Sequence, residues 1–276
     1  MARIHAAALT LRHPLFSHQS AAVIHGLPLR AREQGRVHIL ESGPRRSGSR
    51  VGTTVHAFSG DPDPVARGGL IVTSAARTVL DLARVLPHHE SLALADAAIR
   101  PTGGRTPLAG TARSLCSREE LIERATALVG QRGGWAAFLV ATEANPLSES
   151  PGESFGRSVM TRLGAPAPEL QVPIYDRDGL VGYADFGWLR YGVLAEFDGE
   201  LKYGADNPRG RDPAEVVYRE KLREDRMRRQ CRRFIRFGWR DLEKPERLAR
   251  LLVDAGLPLD RGARASELRP PVRAPG

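Results

Sequence analysis

Four residues in one short stretch have the types and spacing for phosphate chemistry: Asp185, Glu196, Asp198 and Lys202, within YADFGWLRYGVLAEFDGELKY from Tyr183 to Tyr203. Side chains of a strand alternate between its faces, so Glu196 and Asp198 share one face with Leu194 while Val193, Ala195 and Phe197 share the other. At the usual strand rise the two acidic Cα atoms stand roughly 6.6 Å apart, close enough for both carboxylates to meet one ion. Asp185, on the preceding strand, reaches the same spot across a hairpin that turns at Arg190, Tyr191 and Gly192. Lys202 has the parity to add a cation there if the strand stays extended through Gly199. Acids gathered in an apolar hairpin are costly until something neutralises them. Three hard oxygen donors, a lysine and room for water suit Mg2+ (or Mn2+), which binds a phosphate oxygen and activates water for phosphodiester hydrolysis. The same residues also fit an edge hairpin whose polar face is simply wet, with Glu196 paired to Lys202.

The flanking stretches supply the elements that would hold these groups. Ser150, Pro151, Gly152 and Glu153 read as a helix start, with Ser at the N-cap, Pro first and Glu third, which gives Glu153 a capping role. A strand is expected around Gln171 to Ile174. After the acids, Asp212, Pro213 and Glu215 open a second helix running to about Gln230. It carries Arg219, Lys221, Arg223, Arg226, Arg228 and Arg229, a solvated face or a phosphate-binding one. A strand then alternates Ile235, Phe237 and Trp239 inward with Arg236 and Arg240 outward, and a short helix to Leu252 follows.

Toward the N-terminus, Ser17 caps a helix through His25, with Gly26 as its left-handed stop. His18 and His25 are seven apart without a third ligand in sequence, so they are expected to cap and pack. Strands are expected at Val37 to Leu40, Thr53 to Phe58 and Leu70 to Val72, the first two separated by a basic turn at Pro44, Arg45 and Arg46. A helix capped by Thr73 or Ser74 then buries Ala76, Val79, Leu80 and Ala83, with Arg77 and Asp81 placed to pair. PTGGRTPLAGTARS, from Pro101 to Ser114, reads as a linker; it lacks the Lys-Thr or Lys-Ser pair of a phosphate loop. Ser117 to Glu120 opens a helix to Val129, and Trp135 to Glu143 forms another.

The chain's 276 residues suffice for two modest domains, and its formal charge of +9 favours a polyanionic partner. Cys116 and Cys231 are too far apart in sequence to suggest a zinc site or a disulfide framework. No apolar run approaches the roughly 18 residues that span a bilayer, so no membrane is expected and a cytoplasmic location is.

ADFGW, LAEFDGELKYG, EVVYREKLREDRMRR and FIRFGWRDL together resemble a bacterial domain related to very-short-patch-repair (Vsr) endonucleases of the PD-(D/E)XK superfamily, over about Ser148 to Val253. The resemblance implies a core sheet flanked by helices, a magnesium site and a DNA substrate. It matches Asp185 to a metal-binding aspartate, Glu196 to the second acid and Lys202 to the lysine of a DG-x-x-KYG subgroup. It also places an acid at Glu153 beside the site, sets Gln171 at the cleft border and puts the basic helix next to phosphates. The chain departs from the superfamily pattern in having Asp198 where lysine would follow the acid by two residues.

SHQSAAVIHGLPL, VTSAARTVLDLAR and LALADAAIR resemble the middle segment of actinobacterial proteins grouped with AbiEi-type antitoxins of type IV toxin-antitoxin systems, over about Ile4 to Arg100. There a winged helix-turn-helix precedes the SHQSAA-like helix. Here the sequence starts almost at that helix, so the winged module is expected to be missing or to lie outside it.

The expectation is an α/β chain of two domains. Residues 1–115 form an AbiEi-like α+β domain, 116–147 a helical connector, 148–258 a nuclease-like sheet flanked by helices, and 259–276 a disordered tail. Its expected function is magnesium-dependent DNA hydrolysis through Asp185, Glu196, Asp198, Lys202 and Glu153, with nucleic acid held by Arg219, Lys221, Arg223, Arg226 and Arg229. The alternative is a non-catalytic antitoxin or transcriptional regulator that binds DNA or a toxin partner.

Overall fold

The computed structural model describes residues 1–30, 35–42, 48–58, 61–101, 113–199 and 213–260. Lys202, the Pro44 to Arg46 turn, Asp212, most of the Pro101 to Ser114 linker and nearly all of the tail lie outside the described residues. The chain is mixed α/β and divides into two compact units, Met1–Pro151 and Gly152–Gly276.

The first unit contains α1 (Ala2–Thr10), β1 (Leu15–Phe16), α2 (His18–His25), β2 (Val37–Ser42), β3 (Gly48–Arg50), β4 (Thr53–Phe58), β5 (Pro64–Arg67) and β6 (Leu70–Thr73). Helices α3 (Ala75–Ala83), α4 (His88–Ile99), α5 (Arg118–Thr126) and α6 (Gly134–Glu143) follow. Its strands form one sheet in the order β3-β4-β2-β1-β6-β5. Ile4, Phe16, Ala21, Val37, Ile39, Val55 and Val72 pack on that sheet, whereas Ala22, Val79, Leu80, Leu94, Leu121 and Val140 form a separate helical core. Helix α2 serves both cores through the adjacent small residues Ala21 and Ala22.

Ser74 is the N-cap of α3, its hydroxyl accepting from Arg77 N–H at 3.1 Å, and Arg77 Nε meets Asp81 Oδ2 at 2.7 Å one turn on. Both features were expected. Residues 116–147, expected as a connector, instead contribute α5 and α6 to the helical core of this unit.

The second unit contains α7 (Pro151–Arg162), β7 (Glu169–Asp176), β8 (Gly179–Trp188), β9 (Val193–Asp198), α8 (Pro213–Arg228), β10 (Arg233–Gly238), α9 (Trp239–Glu243) and α10 (Pro245–Asp254). The sheet order is β10-β9-β8-β7, antiparallel except for β10, which runs parallel to β9 after the α8 crossover that such pairing requires. One sheet face buries Phe186, Trp188, Val193, Ala195, Phe197, Ile235 and Phe237 against α7 and α10. The other joins Val172, Ala184 and Leu194 to Met227 of α8. The β9 alternation read from the sequence therefore holds.

Close approach of α7 to the sheet depends on glycine. A Cβ at Gly152 would lie 2.0 Å from the Phe197 ring, and one at Gly156 would lie 2.8 Å from that of Phe237. Trp239, expected as the last inward residue of the strand, instead starts α9 and packs edge-on to Phe155 and Phe197 with ring centroids 5.9 and 5.2 Å away. None of the helices among the described residues is long and apolar enough to cross a membrane.

Candidate functional site

The acids lie around the place where β7 and β8 change faces. Gln171 has φ +52, the left-handed region, in the middle of β7. In a regular strand Leu170 and Val172 would share a face. Here Leu170 packs with the α7 side of the sheet and Val172 with the α8 side, and their partners Phe186 and Ala184 divide in the same way. Asp185 sits at that inversion. Positive φ at a residue other than glycine is uncommon, and strain of this kind gathers at functional sites.

Each acid has a partner. The β8–β9 ladder ends at the pair Phe186 and Ala195, and one step beyond it Asp185 Oδ2 accepts the Phe197 backbone N–H at 2.9 Å. Glu153, buried on α7, accepts from the Gln171 side-chain amide at 3.1 Å. Glu196 is 7% exposed. Its Oε1 takes Arg223 of α8 at 2.9 Å, and its Oε2 faces Arg236 at 3.5 Å. Arg236 is brought there by the parallel register, which sets it beside Glu196 on β10. It also reaches Glu224 at 3.1 Å, Glu220 at 3.7 Å and Asp198 at 3.9 Å. Arg223 bonds Glu220 at 2.5 Å, and Glu220 followed by Glu196 holds the guanidinium protonated still more firmly than usual, against the opposing effect of burial.

The structure thus brings Asp185, Glu196 and Asp198 to one end of the sheet and sets Glu153 and Gln171 at the same strand inversion. It also supplies from within the chain the neutralisation that a divalent cation was expected to supply. Magnesium at Glu196 would compete with two arginines for that carboxylate, and at Asp185 it would share the side chain with the Phe197 backbone N–H. Among the described residues no three His, Cys, Asp or Glu side chains are grouped so as to hold a metal ion.

The helix expected to hold phosphates is largely committed to internal pairing. Arg219 meets Glu215 at 2.6 Å, Arg223 is held as above, and Arg226 grips Asp176 with two bonds of 2.7 Å. Arg228 meets Glu224 at 2.5 Å and lies over the Phe234 ring. Among the described residues Lys221 and Arg229 have no ion-pair partner, and both are exposed.

Two arrangements were not legible in the sequence. Arg236 was read as merely outward, because nothing in its own strand fixes a parallel partner's register. In the first unit, His18 at the start of α2 stacks on His56 of β4 with ring centroids 3.6 Å apart. His38 of β2 joins them, its Nδ1 2.9 Å from His56 Nε2. His18 therefore gathers ring partners from two strands, which spacing in the chain does not reveal. His25 does pack as expected, its Nε2 2.8 Å from the Thr73 carbonyl. Burial, then the mutual repulsion of the rings, lowers His18 to about 2 and His38 to about 4, and burial lowers His56.

The chain is thus a mixed α/β protein whose second unit joins an antiparallel hairpin sheet to a parallel edge strand, with a partnered acid cluster at one end. Comparison with known proteins finds no matching family model. Two uncharacterized proteins from two strains of Mycobacterium tuberculosis are each 32% identical to it over 166 residues, covering 59% of this chain and 55% of their own length. The chain therefore spans about half the length of the curated relatives it matches.

Proposed function

We propose that this chain is a DNA-binding protein in which the acid-bearing sheet serves as a scaffold for binding and not for hydrolysis. The observation that carries this reading is Glu196 held between Arg223 and Arg236, which makes the central carboxylate part of a structural ion-pair network. The formal charge of +9, which remains after every acid is set against a base, favours a polyanion. The resemblance of this region to repair endonucleases supports nucleic acid as the ligand class. That of the first unit to AbiEi-type antitoxins supports a regulatory setting.

The test is binding of a labelled duplex measured with EDTA and with magnesium, alongside incubation with plasmid. Expected are equal affinities and intact plasmid. Magnesium-dependent cleavage that Asp185→Ala abolishes would overturn the binding-only reading, and failure to bind any nucleic acid would overturn it entirely. Hydrolysis is the second reading because acids outnumber arginines in the network among the described residues, with Glu196, Asp198, Glu220 and Glu224 against Arg223, Arg228 and Arg236.

A further inference from the structure

We infer that the phosphate backbone of duplex DNA docks on an arginine rim at the end of the sheet opposite the acids, where the α8–β10 turn lies against the β8–β9 turn. This rests on the DNA-binding reading above and names its place of contact. Gly192, at φ +66, closes the β8–β9 turn, and its carbonyl accepts both Arg232 N–H at 2.8 Å and Arg233 N–H at 3.2 Å. Those two bonds clamp the turns together. A Cβ on Gly192 would come 3.1 Å from that of Arg232, so glycine also permits the approach. Arg190 lies on the short 3-10 turn Leu189–Tyr191, two residues from the clamp, and Arg229 lies just past the end of α8.

All four arginines are exposed, and among the described residues none has an ion-pair partner. That separates them from the α8 arginines, which are spent on Glu215, Glu220, Glu196, Asp176 and Glu224. Arg233 pairs with Val193 at the start of β9 and Gly238 with Asp198 at its end. The acid end is thus five residues away, about 16 Å at the usual rise. Among the described residues the rim end of the sheet thus sets four cations without an ion-pair partner against one exposed acid, Glu169 at the start of β7, and the acid-rich network lies at the other end. A polyanion is drawn to the first and repelled by the second.

Guanidinium groups match phosphate oxygens with two parallel bonds, and a duplex presents one charge per about 1.7 Å, so several of the four can engage together. Of the five cations expected to bind nucleic acid, only Arg229 belongs to this rim.

The experiment follows binding of a short labelled duplex in EDTA over a range of potassium chloride concentrations. Four phosphate contacts give a slope of log affinity against log salt near −3.6. Replacing Arg229, Arg232 and Arg233 with Gln should remove about 2.7 of that slope. Replacing the same three with Lys should keep it, and Arg219→Gln with Lys221→Gln should change it little. Each single Gln variant should remove about 0.9, which carries the test if the triple variant melts early. A native slope in the Gln triple variant, with the loss appearing instead in the Arg219 and Lys221 variant, overturns the rim while sparing the DNA reading. No duplex binding by the unaltered chain, with adherence to phosphatidylserine vesicles, overturns both.

Discussion

In the first unit three histidine rings are stacked in a half-buried cluster, while in the second a buried glutamate is clasped by two arginines. The histidines tolerate their surroundings by giving up the proton. Burial comes first for His18 and His38, and the neighbouring rings and arginines, Arg77 and Arg84 for His18 and Arg36 for His38, push in the same direction. Glu196 is instead matched with guanidinium, from Arg223 at 2.9 Å and Arg236 at 3.5 Å. The difference teaches that a cluster of ionisable residues gains its character from what packs against it. Stacked imidazoles turn their faces to one another, and a carboxylate flanked by arginines becomes a structural tie.

The sharpest way to break this contrast is to remove one clasp. Arg223→Ala leaves Glu196 buried with only the longer contact to Arg236, and should lower the stability of the second unit by about 3 kcal/mol in urea titrations. Adding Glu196→Gln to that variant should recover much of the loss, since the buried charge disappears with its partner. No recovery would mean that Arg223 acts through packing on Met227, whose sulfur it also meets at 3.1 Å.

Acid should act next most strongly, and on the first unit. The folded His18 titrates far below its ordinary 6.5, so above 6.5 both states are unprotonated and stability is full. Below it the unfolded chain takes up a proton that the folded chain refuses, and stability falls. Between pH 6.5 and 5 this costs about 2 kcal/mol for His18, and less for the more exposed His38. Circular dichroism melts at pH 7 and 5 should show the loss, and His18→Gln should reduce it; an unchanged pH dependence in that variant would remove the stack as its source.

A smaller effect is expected from Glu196→Gln alone, because Arg223 keeps Glu220 and Arg236 keeps Glu224. About 1 kcal/mol is the expected cost, read in the same urea titration.

The smallest change concerns Asp176, which the hydrogen bonds from Arg226 hold down at about 2. Its contribution is present above the ordinary carboxylate value of 3.8 and is lost as pH falls toward 2. Asp176→Asn should flatten only that acid limb and leave the profile between pH 7 and 5 untouched.

Much of the local structure could be read directly. The hairpin around Gly192, the alternation of β9, the Ser74 cap and the Arg77 to Asp81 pair depend on neighbours a few residues away, and the structure has them all. Trp239 was misplaced because an inward stripe in a strand continues smoothly into the first turn of a helix. The short strands β1, β3 and β5 gave too few residues for a period to show, and helix α1 has no side-chain cap and buries only Ile4, so neither a start signal nor an apolar stripe marked it.

For the candidate site, the sequence determined that Glu196 and Asp198 fall on one face of β9, since alternation is a property of the strand itself. Only the tertiary structure decided what those carboxylates meet. The crossover through α8 brings Arg223 across the sheet, the parallel register sets Arg236 beside Glu196, and the left-handed Gln171 marks the face change at Asp185. The same holds for the rim, where Gly192 joins two turns some forty residues apart in the chain. Chain-local geometry fixes which way a side chain points, whereas its electrostatic partner depends on a pairing between distant segments, and that pairing is chosen by the packing of the whole unit.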